Sequence, residues 1–141
     1  MTEVPKPLSS TAMSVASTAL RAQQARMRVI AENIANADTT SATPGGDPYR
    51  RQVPVFTPVK VDNVAQGVRM SRVAQDQRDF RLEYQPGHPS ADEKGYVKRP
   101  NVNSLVEALD MRAAQRAYEA NLNVVETARA MQQRTLDILK K

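Results

Sequence analysis

Near the start of the chain, residues fall at spacings of three and four in strict alternation: Met13, Ala16, Leu20, Gln23, Met27, Ile30 and Ile34. An α-helix lying lengthwise on another helix keeps such a row on one side, because a repeat of about 3.5 residues holds the seam against its neighbour. A second row beside it holds Ala12, Val15, Ala19, Ala22, Arg26 and Val29. The apolar surface is therefore wider than one seam and can serve more than one neighbour. Pro5 and Pro7 close off an irregular N-terminal stub, and Ser9, Ser10 and Thr11 offer N-cap oxygens. Asn36, followed by Asp38, Thr39 and Thr40, predicts a left-handed C-cap. A helix from Ser9 to Asn36 spans about 40 Å at ~1.5 Å per residue.

The C-terminal end repeats the theme. Val106, Leu109, Ala113, Ala117, Ala120, Val124, Ala128, Met131, Thr135 and Ile138 recur at close to the helical period of about 3.6. A flanking row holds Tyr118, Leu122, Val125, Leu136 and Leu139. From Asn103 to Lys140 this helix reaches about 57 Å, longer than a compact domain of this size requires.

Between the helices the period changes to two. The Pro- and Gly-bearing stretch 41–47 reads as a loop. Val53, Val55, Phe56, Val59 and Val61 follow, with Pro54 and Pro58 marking an edge strand or extended arm. Residues 67–73 read as a short strand. Phe80, Leu82 and Tyr84 alternate on one face of another, and Pro86-Gly87 turns the chain. The expected fold is mainly α. Long N- and C-terminal helices (1–36 and 101–141) pair as a coiled coil, and 37–100 form a loop plus a small antiparallel β insertion.

Composition narrows the function. The six aromatic residues among 141 leave the core to Ala, Val, Leu and Met, which predicts weak stability for a lone copy. Cysteine is absent, removing disulfides and thiolate sites. No run of about 18 apolar residues is present to span a membrane, and the N-terminus shows no apolar signal-peptide core. The net charge of +5 raises nucleic acid as a partner, but residues 1–44, 45–100 and 101–141 carry only +1, +3 and +1. A phosphate-tracking face concentrates charge and interleaves aromatics, so nucleic-acid binding is not expected.

Catalytic constellations are equally thin. His88 is the single histidine and sits in a turn between Gly87 and Pro89. Asp76, Asp79, Asp92 and Glu93 lie among basic residues, and Gly45-Gly46 lacks the Lys and Ser/Thr of a phosphate loop. No catalytic residue, metal ligand or cofactor is expected, and the chain is not read as an enzyme. Gln23, Asn121 and Asn123 can fix helix register, or are simply polar residues tolerated at exposed positions. Asn33 and Asn36 share a face, where they can tie off terminal carbonyls or bond the second helix.

These residues carry a resemblance. The stretch from Ala31 to Thr40, with Asn33, Ala35 and Asn36 at the helix end, resembles the N-terminal signature of bacterial flagellar axial proteins (rod, hook and hook-associated). Pro86, Gly87, Gly95, Tyr96, Pro100 and Asn101 in the middle resemble its proximal-rod members. Tyr118, Glu119 and Asn121 match the motif of the family's closing helix. The resemblance covers nearly the whole chain. It implies a structural subunit that polymerises helically in the periplasmic drive shaft, its terminal helices forming an inner layer. It implies export through the flagellar type III apparatus without a cleavable signal. The implied partners are the chain itself, other proximal and distal rod proteins, and the MS-ring protein. Another axial subunit, a helical export chaperone or binding module, and a basic nucleic-acid binder stay open as alternatives.

Overall fold

The computed structural model describes residues 7–63 and 65–141; the stub bearing Pro5 lies outside them. The chain runs α1 (Leu8–Ala35), β1 (Gln52–Val61), β2 (Ala65–Gln75), β3 (Arg81–Tyr84), β4 (Tyr96–Arg99) and α2 (Ser104–Leu139). The strands form two separate two-stranded antiparallel sheets, β1–β2 and β3–β4. The architecture is therefore mixed α/β. It contains the two terminal helices and, between them, the antiparallel strands expected, which fall into two small sheets.

Both ends of α1 differ from the sequence reading. The N-cap is Pro7, with no side-chain cap, and the helix begins at Leu8, ahead of Ser9, Ser10 and Thr11. Proline suits this position because the first N–H of a helix has no partner to lose. The C-cap Asn36 has φ −103° and is not left-handed; its Nδ2 reaches back to the Glu32 carbonyl at 2.8 Å instead. Asn103 caps α2, its side chain accepting from Leu105 N and Val106 N.

The helices pack antiparallel. Asn33 touches Glu107 at one end, and Leu8 and Ala12 share an apolar cleft with Val124, Ala128 and Met131 at the other. The face of α2 turned inward is Glu107, Met111, Ala114, Tyr118, Asn121, Val125, Ala128 and Gln132, all buried or half-buried. Their spacing alternates four and three.

Packing on α1 comes from two sides. The β1–β2 ribbon covers it as well as α2, and Thr18 Oγ1 accepts the Val68 amide at 3.1 Å. Gly67 passes so close that an added Cβ would lie 2.4 Å from that oxygen. The wide apolar surface of α1 thus meets its own ribbon and its own partner helix. β1 and β2 pair from Gln52↔Gln75 to Val61↔Ala65, with a bulge between Val55 and Phe56. Asp62 and Asn63 turn the ribbon with φ of 51° and 57°, a region that Asp and Asn tolerate better than other non-glycine residues.

β4 pairs with β3 although Tyr96 to Arg99 lies beyond the Pro86-Gly87 turn and shows no period-two apolar alternation. Leu82 and Tyr84 stand on the exposed side of this sheet. The Tyr84 and Tyr96 rings meet edge-on at 5.3 Å.

Candidate functional site

The densest chemistry in the molecule is a buried polar node where the two helices leave the β region. Asn33, 1% exposed, uses its whole hydrogen-bonding capacity. Its Nδ2 donates to the Gln52 carbonyl (2.9 Å) and Glu107 Oε2 (3.1 Å), and its Oδ1 accepts from Tyr49 OH (2.8 Å) and Gln52 N (2.9 Å). Glu107 is fully buried. Its other oxygen pairs with Arg51 Nε, and Arg51 also meets Asp76 (3.4 Å) and Asp110 (3.7 Å). A buried carboxylate persists only when paired and hydrogen-bonded in this way.

Asn101 extends the node. Its Oδ1 accepts the Arg51 amide at 2.7 Å, and its Nδ2 donates to the carbonyls of Asp76 and Arg78. Arg50 donates to the same two carbonyls and lies 4.2 Å from the Phe80 ring centroid. The hydrogen bonds from Arg78, with Arg51 nearby, lower the Asp76 carboxyl to about 2. Burial, reinforced by the charges of Glu32 and Glu107, raises the Tyr49 phenol above its ordinary value. The end of α1, the starts of β1 and α2, and the end of β2 are thereby tied at one point.

The loop 85–95 is a second rigid element. Gln85 N donates to Gly95 O, Asp92 N to Tyr96 O, and Asp92 Oδ1 accepts from Lys94 N and Tyr96 N. Gly95 has φ +82°, and an added Cβ would sit 3.0 Å from both Pro86 Cβ and Tyr84 Cε2. His88 Nδ1 accepts the Ser90 amide, which gives it a structural role in the turn. Among the described residues, no group of His, Cys, Asp or Glu is arranged to hold a metal.

The residues named from sequence divide between inside and outside. In α1, Ala16 and Ile30 are buried, Met13, Leu20 and Met27 half-buried, and Ile34 exposed. In α2, Ala128 is buried and Ala117 half-buried, but Ala113 and Ala120 are exposed. Val106, Leu109, Val124, Met131 and Ile138 are between 45% and 73% exposed. This row lies beside the inward face and forms a bare apolar strip along most of α2. Of the motif residues, Asn33, Gly95, Pro100 and Asn101 are buried. Asn36, Thr40, Tyr118 and Asn121 are half-buried, and Ala35, Pro86, Gly87, Tyr96 and Glu119 are exposed. Asn121 Nδ2 donates within its own helix, to the Ala117 carbonyl at 2.7 Å. Arg51 and Glu107 were missed, being 56 residues apart with no local pattern to link them. The one available signal was a lone Glu on the inward heptad of α2.

Two family models match the ends of the chain. The flagella basal body rod protein model matches residues 13–43, and the flagellar basal body rod FlgEFG protein C-terminal model matches residues 93–138. Whole-chain relatives bridge them. The flagellar basal-body rod protein FlgC of Agrobacterium fabrum is 46% identical over 136 residues, covering 95% of this chain and 96% of its own. The chain belongs to the FlgC family. FlgC of Borreliella burgdorferi is 43% identical over 147 residues, covering 91% and 95% of the two chains. FlgC of Bacillus subtilis is 35% identical over 144 residues, covering 91% and 96%. In this FlgC-family chain the node takes Asn33 from one matched segment and Glu107 from the other. Tyr49, Arg51 and Asp76 come from the stretch between them.

Proposed function

We propose that the chain is a structural subunit of the proximal rod of the bacterial flagellar basal body, and that it polymerises helically through its terminal helices. The observation that carries this reading is the apolar strip on α2, from Val106 to Ile138, left bare on a single copy. Folded monomers seldom leave so long a contiguous apolar surface exposed unless a partner covers it. Membership of the FlgC family supports the rod as the place where that partner is met.

On this reading 1–36 and 101–141 form an inner coiled-coil layer and 37–100 lie outside it. Neighbouring copies and other proximal and distal rod proteins cover the strip, with the MS-ring protein at the base. The chain reaches the periplasm through the flagellar type III export apparatus without a cleavable signal. Torque then passes through stiff, close helix contacts, and the role is structural, with no catalysis.

The test is complementation of a strain lacking the chain with Leu109→Asp or Ala120→Arg. Both positions are exposed, so the free subunit keeps its circular dichroism and melting point while swimming is lost and basal bodies lack an assembled rod. Wild-type swimming with either variant overturns the strip as an assembly surface. Leu20→Asp, in the intrachain seam, abolishes motility by a different route, since the free subunit itself loses helix.

A further inference from the structure

A groove of about 370 Å³ runs between α1 and the β1–β2 ribbon. Its floor is apolar, with Ala22 and Ala25 from the helix and Val59 and Val68 from the strands, and no residue of α2 lines it. Arg21 and Arg69 stand on its two walls. Arg28, seven residues past Arg21, continues the same side of α1. All three arginines are exposed. Among the described residues, none of their guanidinium groups finds a hydrogen bond or an ion pair. An apolar floor between positive walls suits an amphipathic helix with acidic edges.

α2 presents such an edge. Glu119, Leu122 and Glu126 share one side of it and are all exposed. This side lies across the inward row from the bare strip. Neither glutamate is paired among the described residues. The two surfaces match in reverse order. Arg21, Ala25 and Arg28 are spaced four and three, and so are Glu126, Leu122 and Glu119 read backwards. Each set spans about 10 Å at ~1.5 Å per residue. Laid antiparallel, α2 brings Glu126 to Arg21 and Glu119 to Arg28. Leu122 then lies over Ala25, where the small side chain leaves room for it.

We propose that the groove receives the Glu119–Glu126 side of α2 from a second copy of the chain. Arg69, on the ribbon wall, adds to the positive field that draws it in. The giving and receiving surfaces differ, so the contact is head-to-tail and repeats from copy to copy. The inference rests on the reading that copies of this chain adjoin one another, but it uses no residue of the bare strip.

Disulfide trapping tests it, because the chain has no cysteine of its own. Ala25→Cys/Leu122→Cys, expressed in a strain lacking the chain and oxidised in purified basal bodies, should give a ladder of dimers, trimers and longer species on a non-reducing gel. Each single variant stays monomeric. No ladder, a disulfide closed within one chain, or dimers from Ala25→Cys alone overturns the contact. Charge reversal is the second measurement. Arg21→Glu/Arg28→Glu and Glu119→Arg/Glu126→Arg should each lower the yield of assembled rods at least about tenfold. The fourfold variant, with both pairs exchanged, should recover it. Wild-type yield from either pair, or no recovery in the fourfold variant, overturns the proposal. Lost swimming with Leu109→Asp beside normal swimming in both reversals removes this contact and leaves the strip reading standing.

Discussion

Replacing Asn33 by Leu tests whether the polar node, and not the helix seam, holds the subunit together. Leucine has the same branched four-atom side chain as asparagine and is the bulkier of the two, so the change leaves no cavity and the loss of hydrogen bonds is polar. Four hydrogen bonds disappear. The half-buried Tyr49 hydroxyl can turn to water, and Glu107 keeps Arg51. The amide and carbonyl of Gln52 and one oxygen of Glu107 are left without their partner. At about 1–3 kcal/mol for each of the three groups orphaned, the sum is about 3–9 kcal/mol. Small domains hold only about 5–15 kcal/mol in total, and a seam built on Ala16, Ala114 and Ala128 puts this chain toward the lower end. Asn33→Leu should therefore unfold most of the population near neutral pH. Asn33→Asp adds a second effect: a carboxylate oxygen replaces the donor 3.1 Å from Glu107 Oε2, so at pH 7 this variant is the less stable of the two. Acidification narrows the gap, because a proton shared between the two carboxyl groups restores a hydrogen bond. Urea unfolding followed by far-UV circular dichroism gives both numbers. A loss under about 1 kcal/mol for Asn33→Leu, or Asn33→Asp equal to it at pH 7, would refute the reasoning.

Gly95→Ala should cost about 1–3 kcal/mol, since it forces a side chain onto φ +82° against Pro86 and Tyr84. Gly87→Ala, facing open space, should stay within about 0.5 kcal/mol, and thermal melts of the two compare them directly. Thr18→Val removes the hydroxyl that accepts the Val68 amide and should cost about 1 kcal/mol, seen as faster exchange of that amide. The Asp76 carboxyl is lowered from 3.8 to about 2 in the folded chain. Its contribution is complete above the unfolded value and is lost as pH falls through that window; an Asp76→Asn chain should lack this part of the acid sensitivity. The Tyr49 phenol is raised, so its contribution is complete below its unfolded value of 10.0 and is lost as pH rises through the folded one. A Tyr49→Phe chain should be less sensitive to alkaline unfolding.

What could be read from the chain divides along physical lines. Helices declare themselves through local spacing, so both appear, and Asn33 and Asn36 show by position that they close the first. Which face of α2 turns inward is a tertiary matter. Its inward row contains Glu107, Asn121 and Gln132, which an apolar count scores as surface, while Val106, Leu109, Val124, Met131 and Ile138 score as core. Burial went the other way because Glu107 is neutralised by Arg51, a partner 56 residues distant. A buried charge is stabilised by contacts that no window of sequence contains. The same argument explains the missed strand β4: Tyr96 to Arg99 is a strand because it pairs with Arg81 to Tyr84, across a loop whose shape depends on a left-handed Gly95. The mismatch between apolar pattern and burial on α2 is itself informative. On the proposed reading, a row that reads as core and stands bare in one copy is a core awaiting a second molecule, whereas a row that reads as polar and lies buried is satisfied within the chain. Polar pairing ties the subunit together at the node, and the exposed apolar strip is the surface that the proposed assembly would cover.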